Sequence, residues 1–450
     1  MKKTMLLMLS VILVVVLAAC GGKGNNANTP GNAAEPGANS GAGATNGAEA
    51  PKEEDAPKEP VTIKMFQFKV EIAEALAKMI ADYEKENPNV KIQLETVGGG
   101  ADYGAALKAK FAAGDEPDIF NNGGNQEMET WMEYLEDMSD QPWVGDVVDA
   151  AKDQISKDGK MYGMPMNLEG YGYIYNKDLF AKAGITELPK TLTQLNEVAQ
   201  KLQDAGITPF SNGYQEWWVL GIHNFNVALA QQDDPAAFIA SMNDGTGKIP
   251  GNPIFEQWVN LLDTTVKYGN KNPLTTDYNT QVTLFASGEA AMMQQGNWTQ
   301  VQIDGINPDL NLGVLPMPIN DDPAKNDKLY AGVPNNWVVN NKSAVKEEAK
   351  AFLNWMVSSE TGKRYVIEEF KFIPALKSIE VKDQEVLGDI ANEVIAYSNA
   401  GNALTWNWTR MPDGVTQELG AAMQSYIAKK TTKEQMLEAF QKSWENLRKK

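Results

Sequence analysis

The sequence predicts an α/β protein of two domains, and three observations carry that reading. Strand-like alternation and helical stripes follow one another in a β-α-β-α-β order between residues 61 and 120. A similar rhythm restarts beyond residue 170. The roughly 390 residues available for folding exceed what a single core usually fills.

The chain opens with Lys2 and Lys3, an apolar run from Met5 to Leu17, and the small residues Ala18 and Ala19 before Cys20. That order is an export signal, predicted to occupy residues 1–19. A membrane-spanning helix needs about 20 apolar residues, and this run is shorter and stops at Cys20-Gly21-Gly22. Leu17-Ala18-Ala19-Cys20 resembles the bacterial lipobox, which implies that Cys20 is lipidated and holds the protein at the extracytoplasmic face of the cell membrane. Cys20 is also the only cysteine, so a chain sent to an oxidising compartment is expected to fold without a disulfide. From Gly21 to Pro60 there is no aromatic or branched apolar residue. Residues 20–60 therefore read as the anchor and a disordered tether, with a mean reach of about 35 Å.

Val61, Ile63 and Met65 alternate as in a strand, and Ile72, Leu76, Ile80 and Tyr83 give the stripe of a helix that Asn87-Pro88 stops. Val90, Ile92 and Leu94 form the second strand. A second helix is predicted between Gly98-Gly99-Gly100 and Gly114, and a third strand at Pro117 to Phe120. Tyr171 to Tyr175 is strand-like; Thr191 and Gln194 predict a capping box opening a helix striped by Leu195, Val198 and Leu202. Gly206 ends that helix and Ile207 to Phe210 is extended again.

The formal net charge is -19 and the arginines are Arg364, Arg410 and Arg448 alone, a balance that argues against nucleic acid as a partner. The acidity otherwise describes a well-solvated surface.

Three stretches then resemble family 1 extracellular solute-binding proteins, the group that includes maltodextrin-binding proteins. They are Tyr162-Gly163-Met164-Pro165 with Tyr173 to Phe180 and Ala183-Gly184; Phe285 to Met292 with Gly296-Asn297-Trp298; and Val314 to Pro318 with Gly332-Val333 and a helix around Ala349 to Val357. The resemblance covers residues 61–450. It implies two discontinuous α/β lobes with a ligand cleft between them and a hinge of crossings near residues 166, 296 and 332. On that reading the N-terminal lobe takes 61–166 and 297–332, and the C-terminal lobe takes 167–296 and 333–450. It also implies a monomeric receptor that delivers a sugar or oligosaccharide to the transmembrane subunits of an ABC importer, with no cofactor, no metal and no catalysis.

A sugar presents hydroxyl groups at its rim and C–H patches on its ring faces, so its receptor needs planar polar side chains and aromatic faces converging on a cleft. Burying a hydroxyl unpaired costs about 1–3 kcal/mol, the origin of discrimination between epimers. Aromatic and amide residues sit side by side in non-helical segments: Trp217 and Trp218 after Ser211 to Glu216, Asn297-Trp298, Asn335-Asn336-Trp337, and Trp406, Trp408 and Arg410 beyond the Asn399 to Asn402 turn. Trp298 and Trp337 are expected at crossings, and one of Trp217 and Trp218 on the ligand. Arg410 is read either as a ligand contact or as a partner for Asp413. Strand ends, where parallel sheets place their ligands, add Gln67, Asn121 and Asn122, and the first crossing adds Asn167, Glu169 and Tyr171. Trp131, Trp258, Trp355 and Trp444 lie in helical stretches and are expected in packing roles.

Other ligand classes fit less well. Carboxylates and phosphates call on arginine forks, which are scarce here, and iron receptors favour histidine and tyrosine, whereas His223 is the single histidine and reads as a helix-surface or packing residue. A cationic solute suits the acidity and the tryptophans. A glycoside hydrolase needs only two carboxylates about 5–9.5 Å apart. An envelope scaffold would explain the anchor but not the paired aromatic and amide clusters.

Overall fold

The computed structural model describes residues 59–448; the export signal, Cys20 and almost all of the tether lie outside them. In chain order the strands are β1 (Val61–Gln67), β2 (Val90–Thr96), β3 (Ile119–Asn122), β4 (Ser156–Lys157), β5 (Lys160–Met161), β6 (Met164–Pro165), β7 (Glu169–Asn176), β8 (Thr208–Ser211), β9 (Ala290–Gly296), β10 (Leu312–Leu315), β11 (Leu329–Gly332), β12 (Asn336–Val339) and β13 (Ala403–Thr405). They form two larger sheets, one ordered β2-β1-β3-β12-β6 and the other β13-β11-β7-β9-β8 with β10 also on β7. Helices cover both, giving the α/β architecture that the alternating pattern predicts.

Local chemistry sets the element ends. Asp102 accepts the Ala105 N–H at 2.9 Å to start the helix Tyr103–Ala113, and Gly114 ends it at φ 72°, a left-handed conformation that glycine adopts without penalty. Thr191 caps the helix Leu192–Asp204 as predicted, but Gln194 reaches back to the Lys190 N–H rather than to that of Thr191. The reciprocal capping box lies instead at Thr432 and Gln435, before the helix Lys433–Leu447.

Each sheet owns a core. The first gathers Phe66, Leu76, Phe120, Trp131, Trp337 and Phe352, and the second gathers Tyr173, Phe210, Trp258, Phe285, Leu315 and Trp444. The chain passes between them at 166–168, at 333–335, and between Ile379 of the first core and Leu387 of the second.

These connections correct the division of the chain expected from the resemblance. Gly296 is not a crossing, and 297–332 belongs to the second lobe, because β10 and β11 complete β7 along the edge that β9 leaves free: Val314 pairs with Ile174, Leu315 with Tyr173 and Tyr330 with Tyr171. Residues from 333 to Ile379 belong to the first lobe. There β12 pairs with β3, and the helix Lys346–Ser358 turns Phe352 and Leu353 into the first core. Only the stretch after that third passage returns to the second lobe.

Candidate functional site

The first lobe brings strand ends to the junction between the lobes. Parallel β1 and β3 finish there, and antiparallel β12 begins there, so Gln67, Asn121, Asn122, Asn335 and Asn336 come together. Gln67 braces the following loop: its amide donates to the Lys69 carbonyl (3.0 Å) and to Thr96 Oγ1 (2.6 Å), and its oxygen accepts the Lys69 N–H. Asn121 accepts the Phe68 N–H at 3.1 Å. The Asn336 amide donates to the Asn122 carbonyl at 2.9 Å. Asn122 Nδ2, Asn335 Oδ1 and Asn336 Oδ1 are buried yet have no protein partner, a costly arrangement in a dry interior.

At the first crossing, Asn167 donates to Glu169 at 3.1 Å while its own Oδ1 is unpartnered. Glu169 also takes the ammonium of Lys69 in an ion pair, both side chains being almost fully buried. A buried pair of this kind is strongly destabilised when one member is lost, so it fixes the loop after β1 against the start of β7.

The second lobe contributes rings. His223 lies in a π-helical turn, Val219–Asn224, a widened turn often found at functional sites. Its imidazole stacks on Tyr171 at 4.6 Å and is ringed by Trp298 (5.1 Å), Trp218 (5.3 Å) and Trp408 (5.6 Å), with Trp406 beyond. Trp406 and Trp408 lie 4.4 Å apart. Tyr171 OH donates to the His223 carbonyl at 2.8 Å, Trp298 Nε1 donates to Gln295 at 3.1 Å, and Asn297 accepts the Gly170 N–H at 2.8 Å. Trp406 Nε1 and His223 Nδ1 are unpartnered. Burial, helped by the Lys69 charge, pulls the His223 pKa down to about 3, so the ring is neutral.

The two sides touch. Tyr278 of the second lobe donates its hydroxyl to Glu71 of the first at 2.8 Å, Lys108 pairs with Asp413 at 2.7 Å, and Asn125 donates to Thr409 at 2.9 Å. Gly100 abuts Glu216 so closely that a Cβ there would stand 2.7 Å from the carboxylate. The lobes are closed on one another.

The structure thus gathers Gln67, Asn121, Asn122, Asn167, Glu169, Tyr171, Trp218, Asn297, Trp298, Asn335, Asn336 and Trp406 around the junction, and it corrects the remaining candidates. Trp337 alternates with Asn336 along β12 and points the opposite way, into the first core at 2% exposure beside Met164 and Met356. Trp217 sets its backbone against Gly420 and stands outside the ring cluster that Trp218 joins. Arg410 is exposed, and Asp413, its alternative partner, is taken by Lys108. The sequence reading missed Lys69, Glu71, Glu216 and Tyr278; His223, read as a helix-surface or packing residue, does pack, 7% exposed, but at the centre of the junction's ring cluster. A lone histidine five residues after a tryptophan pair was the one available signal for the last of these. Trp131, Trp258 and Trp444 pack in lobe cores and Trp355 lies half-buried against the first.

Among the described residues no three His, Cys, Asp or Glu side chains converge as a metal site requires, and no helix is long and apolar enough to cross a membrane. A surface hollow of about 600 Å³ on the second lobe is lined by Gln232, Asn252, Gln257 and Asn320. Its amides pair with each other (Asn252 to Gln232 and Asn320 to Gln257), whereas unpartnered amide atoms of Asn122, Asn167, Asn335 and Asn336 meet at the junction.

Residues 69–363 match the family described as bacterial extracellular solute-binding protein. The chain is 26% identical over 266 residues to the multiple sugar-binding protein of Streptococcus mutans, covering 57% of this chain and 62% of that one. It is 25% identical over 264 residues to the melibiose/raffinose/stachyose-binding protein MelE of Bacillus subtilis, covering 56% and 60%. The matches thus span about three fifths of the length of these relatives. Among solved structures, RafE in complex with raffinose superposes with a TM-score of 0.74 at 22% identity over 86% of this chain and all of that one. The apo form of RafE from Streptococcus pneumoniae superposes at 0.64 and 21% identity, covering 88% of this chain and 100% of that one.

Proposed function

The chain belongs to the family of bacterial extracellular solute-binding proteins, and from that premise we propose that it is the receptor of an ABC importer, closing two lobes around a sugar or oligosaccharide. The carrying observation is the pairing, across one junction, of a ring cluster (Trp218, Trp298, Trp406 and Trp408 around His223) with buried amides whose polar atoms have no protein partner. Rings meet the C–H faces of a sugar, and Asn122, Asn167, Asn335 and Asn336 meet its hydroxyls. Relatives whose names specify sugars support the ligand class.

On this reading an open form is favoured without ligand, and contacts to both lobes stabilise the closed one. The protein works as a monomer, is anchored through Cys20, and hands its ligand to the importer's transmembrane subunits. It catalyses nothing: Glu169 is held by Lys69, and Glu71 and Glu216 accept from Tyr278.

A ligand panel tests the proposal. At a hundredfold excess over its dissociation constant a bound sugar adds about 2.7 kcal/mol, read as a rise in melting temperature with a tryptophan fluorescence change. A shift with a polyamine or betaine and none with mono- or oligosaccharides overturns the sugar assignment. That outcome would favour a cationic solute, for which Glu71, Glu169 and Glu216 beside Tyr278 supply negative charge. Release of smaller sugars during the incubation would instead reveal a hydrolase.

A further inference from the structure

The carboxylates at the contact between the lobes are compensated unequally. Asp413 has Lys108, Glu169 has Lys69, Asp304 has Lys371, and Glu71 accepts the Tyr278 hydroxyl. Glu127 and Glu216 make no ion pair among the described residues. Glu216, on the second lobe, is 3% exposed. It accepts the Tyr278 N–H at 3.0 Å, and its second oxygen faces the Gly100 backbone of the first lobe. The charges near it are acidic: Asp277 directly, with Glu71 and Glu169 around Tyr278. Glu127, on the helix Asn125–Trp131 of the first lobe, accepts the Gly123 N–H at 2.7 Å. Facing it are Asp413 from the other lobe and Lys108, the latter already committed to Asp413.

We propose that closure of the lobes takes up protons on Glu127 and Glu216, two carboxylates of opposite lobes that meet the facing lobe without a cation. Closing strips water from Glu216, which it leaves 3% exposed, and in part from the half-buried Glu127, and a carboxylate withdrawn from water without a counter-charge is neutralised at less cost than it is kept ionised. A proton fits where a cation does not, since the Gly100 backbone lies against Glu216 and Thr409 lies beside Gly123 and Glu127. Burial raises both groups, Glu127 from 4.5 to about 7. The sign follows. A group with its pKa raised in the closed form favours closure fully below the ordinary carboxylate value, and that advantage is lost as the pH rises through the closed-form value. In the closed form His223 is neutral across this window, its pKa lowered to about 3 by burial, so a response of the histidine would favour opening as the pH falls and runs opposite to that of the two carboxylates.

The test needs no ligand, so its failure leaves the sugar reading standing and the reverse holds too. Spin labels at Lys78→Cys and Lys442→Cys, exposed sites on opposite lobes, are introduced into the full chain carrying Cys20→Ser, and inter-lobe distances are measured from pH 7.5 to 5.5. The closed-to-open ratio is expected to rise about tenfold and to be high and independent of pH in the Glu127→Gln, Glu216→Gln double variant. A ratio that does not move with pH, or moves equally in the double variant, overturns the proposal. Should circular dichroism show the double variant unfolded, each single variant must lose part of the pH response, and a full response in both overturns it equally.

Discussion

On the first-lobe side the junction is lined by strand-end amides, Asn122, Asn335 and Asn336, whereas the second lobe offers rings: Trp218, Trp298, Trp406 and Trp408 around His223. The difference follows from the elements that carry them. Amides at the ends of packed strands are held by the ladder, as Asn336 is by the Asn122 carbonyl, and such rigid donors and acceptors suit the recognition of hydroxyl geometry. Rings need broad apolar support, which comes from a π-helical turn, β7 and the loop after β13 packed together. The rings are therefore expected to supply most of the affinity and the amides most of the discrimination.

The strongest way to break this comparison uses two tryptophans of similar burial. Trp337 is 2% exposed inside the first core and Trp406 is 6% exposed at the junction. Trp337→Ala is expected to lower the unfolding free energy by about 3–5 kcal/mol, measured by chemical denaturation, while the folded fraction keeps its ligand affinity. Trp406→Ala is expected to weaken binding by about 2 kcal/mol, roughly 30-fold, measured by titration calorimetry with the sugar that the panel identifies. A Trp337→Ala protein that folds normally and binds poorly would return that ring to the site.

Residue pairs like this one show how much was readable in advance. The α/β class and the first two strands followed from alternation, because Val61, Ile63 and Met65 face neighbours that any strand of this pattern must bury. The lobe to which β10, β11 and β12 belong did not follow. Leu312–Leu315 and Asn336–Val339 are both short apolar strands, and the sheet each joins is decided by free edges that arise only in three dimensions. Asn336 was legible as a site residue, yet Trp337 beside it was not legible as core, since a period of two says that they face apart without saying which faces the cleft. Lys69 carried no signal, as its partner Glu169 lies one hundred positions away.

On the amide side, Asn336→Ala removes the 2.9 Å hydrogen bond to the Asn122 carbonyl and the unpartnered Oδ1 together. The expected loss of affinity is about 1 kcal/mol, roughly fivefold, accompanied by a narrower gap between epimeric sugars in competition titrations. A loss as large as that of Trp406→Ala with the epimer gap unchanged would assign affinity, rather than discrimination, to this face.

The smallest effect is expected where the lobes touch without ligand. Lys108 and Asp413 meet at 2.7 Å, but their side chains are 52% and 44% exposed. Water screens such a pair, and holding two long side chains in register offsets part of its attraction, so exposed pairs contribute about 0.2–1 kcal/mol. Lys108→Ala should therefore weaken ligand affinity by less than about fivefold at low ionic strength, and the difference should vanish near 1 M salt, where the screening length falls to about 3 Å. Titrations of parent and variant at both salt concentrations make the measurement. A loss beyond about tenfold that persists in high salt would mean that direct lobe-to-lobe contact holds the closed form, and the division of labour between rings and amides would then describe only the remainder.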